Sequence, residues 1–177
     1  MEPWQRLSGA DFARWIAAYN IAPLLVTNES TAANIEALKR VLQVDSSLVV
    51  CSSLSRSRDS AALLHLQPTI TDALFREAEL PVINCRWPKL SASSWLVLNR
   101  MLWFAGLANN VESFVTMKRR ANLAAARLMT YAAEHPQVAL IGHGVFNTFV
   151  AKALLTKGMR GPKKSANHYW GYSVYEK

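Results

Sequence analysis

The chain has 177 residues, enough for one domain with a substantial core. Hydrophobic residues make up 51% and charged residues 18%, which excludes wholesale disorder. With 20 Lys and Arg against 12 Asp and Glu the formal net charge is +8, which favours anionic partners, yet apart from Lys118-Arg119-Arg120 and Lys163-Lys164 the basic residues are scattered and form no stripe interleaved with aromatics, so nucleic acid is not expected.

Residues 1–6 show no basic stretch followed by an apolar core, so no secretory leader is read there. A first helix is predicted from Ser8, a candidate N-cap, to about Asn20. Phe12, Trp15, Ile16 and Tyr19 form its apolar face, and Pro23 follows it. Leu24-Leu25-Val26 is a short ambiguous apolar run. Thr31 to Leu42 reads as a second helix with Ile35, Leu38 and Leu42 on one face. Ser47 to Cys51 is a continuous apolar run with β-branched residues and reads as a strand buried on both faces. Cys51 is expected to act as a small buried hydrophobe. Only one other cysteine exists, Cys85, so there is no disulfide framework, and a reducing cytoplasm is the expected compartment.

Arg56 to Leu64 continues as a helix. Ile70 to Leu80 has a mixed pattern, and Pro81 and Pro88 mark an irregular connection. Ser91 or Ser93 is expected to cap a Trp-rich helix ending near Gly106. The apolar stretch from Trp95 to Leu107 contains Asn99 and Arg100 and is too short to span a bilayer. Asn110 to Glu134 reads as a long helix ended by Pro136. A strand over Val138 to Ile141 then leads through Gly142-His143-Gly144 into a helix over Val145 to Leu155, and Tyr169 to Tyr175 reads as a last strand. This order predicts a single α/β domain over residues 1–177, three-layer α/β/α with a mostly parallel central sheet. Residues 80–112 form a Trp-rich lid.

Two stretches share one design, an apolar strand that stops in small polar residues and turns into a helix. One carries Ser53 and Arg56, the other His143 and Gly144. In open α/β sheets that edge is where ligands bind, and helix starts favour anions there. Arginine offers a planar fork of donors that matches phosphate or carboxylate. Side by side, the two turns would form an oxyanion cup of guanidinium, imidazole and helix N-termini. Arg58, two residues after Arg56, falls on another helix face and is expected at the surface. Glu77 or Glu79 could add a proton donor above the cup.

These segments resemble the histidine phosphatase superfamily, the phosphoglycerate mutase-like fold. Residues 52–61, Ser-Ser-Leu-Ser-Arg-Ser-Arg-Asp-Ser-Ala, are similar to the family's Ser-x-Leu-x-Arg-Ala-x-x-Thr-Ala motif. Leu74-Phe75-Arg76-Glu77 resembles the motif that carries the acid, and Ile141-Gly142-His143-Gly144 resembles the second-histidine motif. Leu7 to Ala13 resembles the family's first helix start, and Glu112-Ser113 before Arg119 fits the helix preceding the last motif. The resemblance implies phosphoryl transfer through a phosphohistidine, with Arg56 and His143 clamping the phosphate and Glu77 as the acid. It implies a small phosphorylated substrate or a phosphoprotein as partner, no membrane, and no metal or other cofactor.

The resemblance departs at the family's first motif, an Arg-His-Gly that closes the first strand. Leu24 to Ser30 imitates that segment only loosely, and Thr27 and Asn28 cannot replace an arginine and a nucleophilic imidazole. In the family that strand lies between those ending near Cys51 and Ile141. Its loss is expected to leave buried N–H and C=O groups unpaired at about 1–3 kcal/mol each, which favours an upstream segment missing from this sequence. The polypeptide as it stands is therefore expected to have no appreciable phosphatase activity, and a non-catalytic phosphate-binding or partner-binding role is the alternative.

Overall fold

The computed structural model describes residues 6–21, 29–42, 47–166, 168 and 170–177. Two compact units emerge, one built from Met1–Ala22 with Ala78–Met117, the other from Pro23–Glu77 with Lys118–Lys177. Six helices and three strands are described: α1 (Gly9–Ile21), α2 (Glu29–Val41), β1 (Ser47–Ser52), α3 (Ser55–Leu63), β2 (Ile70–Asp72), α4 (Ala92–Phe104), α5 (Phe114–Glu134), β3 (Gln137–Ile141) and α6 (Gly144–Thr156). A single 3-10 turn, Ala73–Phe75, follows β2. No helix among them is long and apolar enough to cross a membrane.

In the first unit, α1 begins at a reciprocal cap. Asp11 N–H donates to Ser8 Oγ (3.2 Å), and Ser8 N–H and Oγ donate to Asp11 Oδ2 (3.3 and 2.7 Å). Phe12, Leu7 and Trp95 are buried together, with Trp15, Ile16 and Leu90 packed around them. Trp95 Nε1 donates to the Leu7 carbonyl at 2.8 Å, so the ring's one polar atom is satisfied inside the cluster. Ser91 caps α4 by accepting the Ser94 N–H. Trp95 and Trp103 are fully buried, whereas Trp87 is 81% exposed, so the Trp-rich segment supplies core more than surface.

In the second unit β1 lies between β2 and β3, all parallel. Its burial pattern explains the unbroken apolar run, because Val50 and Cys51 are fully shielded on both faces. Ile35 of α2, Ala61 of α3, and Leu64 and Leu66 pack with Val49 and Cys51. Burial pushes the Cys51 thiol above its usual range, in keeping with an inert hydrophobe.

Three sequence expectations change. β1 and β3 pair directly over five residues, Ser47 with Gln137 through Cys51 with Ile141, so the seat expected to stand empty between them is closed by their own ladder. The mixed segment after Ile70 contains a short strand, β2, which Thr71 and Asp72 register against Cys51 and Ser52. The last strand expected over 169–175 is not formed by residues 170–175. There Trp170 takes a left-handed φ of 60°, and Gly171 sits so close to Ala166 and His168 that no Cβ would fit, so the chain turns where a strand would run on. An isolated antiparallel bridge joins Arg160 and Glu176 instead. The segment Leu24 to Ser30, read as an imitation of the missing motif, lies outside the described residues apart from Glu29 and Ser30, which open α2.

Candidate functional site

Parallel pairing puts the C-terminal ends of β1 and β3 next to each other, and each runs straight into a helix, α3 or α6. The buried Ser57 side chain in the first turn of α3 ties them together. Its Oγ accepts the Ser52 N–H at 3.0 Å and donates to the Ile141 carbonyl. Both chain reversals expected to form the site are thus fastened to one hydroxyl.

His143 is the N-cap of α6 in extended conformation (φ −133°, ψ 147°), and its ring makes no cap bond. Instead Nε2 shares a 2.6 Å hydrogen bond with Ser52 Oγ, whose direction is set by the imidazole tautomer. Ser52 is fully buried, and its Oγ also accepts the Leu54 N–H at 3.2 Å. Burial, then the positive fields of Arg56, Arg120 and Arg76, push the imidazole down from 6.5 to about 4. The ring is therefore neutral near physiological pH. Three guanidinium groups from α3, α5 and the segment after the 3-10 turn act on this one imidazole, and such a field attracts an oxyanion.

Glu77 reaches the start of α6, the helix that follows His143. Its Oε1 accepts the Phe146 N–H at 2.9 Å and its Oε2 the Val145 N–H at 3.3 Å. A carboxylate there satisfies two of the orphan donors of α6 and complements the helix dipole by about 0.3–1 kcal/mol. This refines the expected cup, because at α6 the helix start already holds an anion belonging to the protein. Arg120 Nη1 donates to the carbonyls of Leu74 and Arg76, both at 2.8 Å, and its guanidinium carbon lies 4.0 Å from the centroid of the buried Phe146 ring.

The remaining expected residues are distributed as follows. Arg56 stands in the first turn of α3, and its charge acts on His143. Ser53 is exposed in the turn after β1, and its neighbour Ser52 is the serine that meets the imidazole. Gly144 is exposed, and a Cβ there would meet nothing within 4 Å. Gly142 is the more crowded glycine, since a Cβ there would push the Asn147 amide aside. Glu79 is exposed and belongs to the first unit. Arg58 is exposed, as expected.

Sequence reasoning missed Ser52, Arg76 and Arg120. The signal for Arg120 was present, because it lies three residues after Met117 and four before Ala124, on the buried face of α5. It is hidden inside the basic run Lys118-Arg119-Arg120, whose other two members are exposed. Among the described residues no group of three or more His, Cys, Asp or Glu is placed to hold a metal ion.

Comparison with solved structures gives the same fold. The chain superposes on the product of the open reading frame Rv3214 from Mycobacterium tuberculosis with a TM-score of 0.58 at 19% identity, covering 89% of this chain and 84% of that one. It superposes on a mycobacterial hydrolase 1 with a TM-score of 0.52 at 19% identity, over 82% and 80% of the two chains. A mycobacterial glucosyl-3-phosphoglycerate phosphatase, Rv2419c, matches with a TM-score of 0.50 at 25% identity, over 71% of this chain and 64% of its own. No curated protein sequence matches significantly. The family model of the histidine phosphatase superfamily (branch 1) matches residues 27–176, which leaves α1 outside the match and takes in every residue around His143 described above. On that match, the chain belongs to branch 1 of the histidine phosphatase superfamily.

Proposed function

We propose that the strand ends of β1 and β3 form a phosphate-binding site of the phosphatase type, taking phosphate monoesters or phosphohistidine, and that the 177-residue polypeptide binds without appreciable turnover. The observation that carries this is the convergence of Arg56, Arg76 and Arg120 on a neutral imidazole held by Ser52. Family membership and the phosphatase among the structural neighbours support the hydrolytic class.

In this reading Arg56 and His143 bind the oxyanion, Ser53 and Gly144 border it, and Glu77 is the residue in reach to protonate a leaving oxygen. Only the protonated form of a carboxyl group can donate in this way, since the carboxylate is an acceptor alone. In-line attack would need a second imidazole. His65 follows α3 and His135 precedes β3, both at the opposite end of the strands, and His168 is exposed in the C-terminal segment. His65 and His135 cannot take the role from that end, and no contact places the exposed His168 against His143, so binding without hydrolysis is the expected behaviour. The partner is a small phosphorylated molecule or a phosphoprotein, and the two unpaired cysteines suit a reducing compartment such as the cytoplasm.

Calorimetry with inorganic phosphate and an assay with p-nitrophenyl phosphate test both halves. Phosphate binding should be measurable and fall about tenfold or more in Arg56→Met or His143→Ala, as expected for loss of a charge-assisted or buried hydrogen bond. Hydrolysis should stay at background. Turnover that disappears in His143→Ala would overturn the binding-only half, and absence of phosphate binding would overturn the site itself.

A further inference from the structure

We propose that Arg120 is a positioning residue. From α5 it clamps the Leu74–Arg76 turn, so that the Glu77 carboxylate stays seated on the N-terminus of α6 beside His143. The importance of that seat for ligand binding rests on the phosphate-site reading above. The clamp itself does not.

The contacts form a closed ring. Arg120 Nη1 gives its two protons to the carbonyls of Leu74 and Arg76. The next residue, Glu77, accepts the N–H groups of Val145 and Phe146. The Phe146 ring in turn lies under the Arg120 guanidinium, with 4.0 Å between its centroid and the guanidinium carbon. The segment is also pinned at its start, where Asp72 Oδ1 accepts the Leu74 N–H at 2.8 Å, and within the turn, where Arg76 N–H donates to Ala73 O at 3.1 Å. Without Arg120 the stretch between Asp72 and Glu77 would keep these bonds and the buried Phe75 ring, and would lose the two carbonyl bonds that tie it to α5.

Chemistry explains why an arginine stands here. One terminal nitrogen of a guanidinium carries two protons at a fixed angle and can bridge two carbonyls while the flat face covers an aromatic ring. A lysine ammonium keeps the charge but has no plane to stack and no fixed fork. Both Nη1 protons of Arg120 already go to backbone carbonyls, and one face is against Phe146, so this guanidinium is built into the protein more than it is presented to a ligand. In Arg56, by contrast, the side chain starts from the first turn of a helix at the strand ends.

Amide hydrogen exchange measured by NMR on the ligand-free protein tests the clamp, with phosphate calorimetry alongside. In Arg120→Met the Val145 and Phe146 amides should exchange about tenfold faster or more, while Val50 and Leu140 in the sheet stay within about twofold. Arg120→Lys should fall between, and it serves as the readout if the methionine variant does not fold. Glu77→Gln should loosen the same two amides, and adding Arg120→Met to it should change them little further, as expected for residues acting through one contact. Unchanged exchange at Val145 and Phe146, with phosphate binding abolished, would overturn the proposal and make Arg120 a direct anion ligand. Equal acceleration of the sheet amides would also overturn it, as a loss of global stability. If the wild-type protein binds no phosphate, the site reading fails while the exchange data still decide the clamp.

Discussion

At the scale of single residues, the protonation of His143 is the most testable property. Burial and three arginines hold its pKa at about 4 against 6.5 for the free group. The folded state therefore takes up its proton later than the unfolded chain as pH falls. The stability contributed by keeping this ring neutral is whole above about pH 6.5 and is lost as pH drops through the interval down to about 4, at most about 3 kcal/mol. Urea unfolding across that interval should show wild type losing more stability than His143→Gln, and parallel curves would count against the buried neutral ring. Bound phosphate adds negative charge opposite the same arginines, so it should move the NMR titration of His143 upward. Arg56 and His143 were legible in the sequence because each follows a strand ending in small residues. Ser52 was not, since two adjacent serines differ only in which of them the end of β1 turns inward. Arg76 was not, because an arginine in an irregular segment reads as solvated until a turn assigns it, and the helix-face signal of Arg120 was masked by the two basic residues before it.

At the scale of elements, local signals sufficed where they were chemical. The Ser8–Asp11 pair marks the start of α1, and Ser8→Ala should cost about 1 kcal/mol, read as a lower midpoint in thermal unfolding. An unchanged midpoint would mean that the cap is replaced by solvent. The apolar runs of β1 and β3 and the long periodic pattern of α5 likewise stood out. Where the decision was tertiary, local reasoning failed. Three residues are too few to reveal β2 by alternation, and only its register on Cys51 and Ser52 makes it a strand. The tail around Trp170 looks extended by composition, yet a left-handed residue beside a crowded glycine bends it. The expected gap between β1 and β3 assumed that strands keep their family spacing, whereas parallel neighbours with matching apolar faces can zip together.

At the scale of the whole molecule, the alternation of helices and strands was enough to give an α/β protein with a parallel sheet. The division into two units was beyond it, because one unit joins residues 1–22 to residues 78–117 and nothing local announces a pairing across that span. The charge of +8 adds a long-range term to the three arginines near His143. Phosphate affinity should accordingly weaken about three- to tenfold as salt rises from low to physiological strength, where the Debye length contracts to about 8 Å. A flat salt response in calorimetry would place the binding energy in short hydrogen bonds alone. The Ser57 hydroxyl carries one last implication. By fastening two strand termini and a helix start to a common point, it holds the backbone that carries Arg56 in fixed register with the backbone that leads into His143. On the proposed phosphate-site reading, anion binding should therefore involve little rearrangement of the backbone and a correspondingly small entropic penalty.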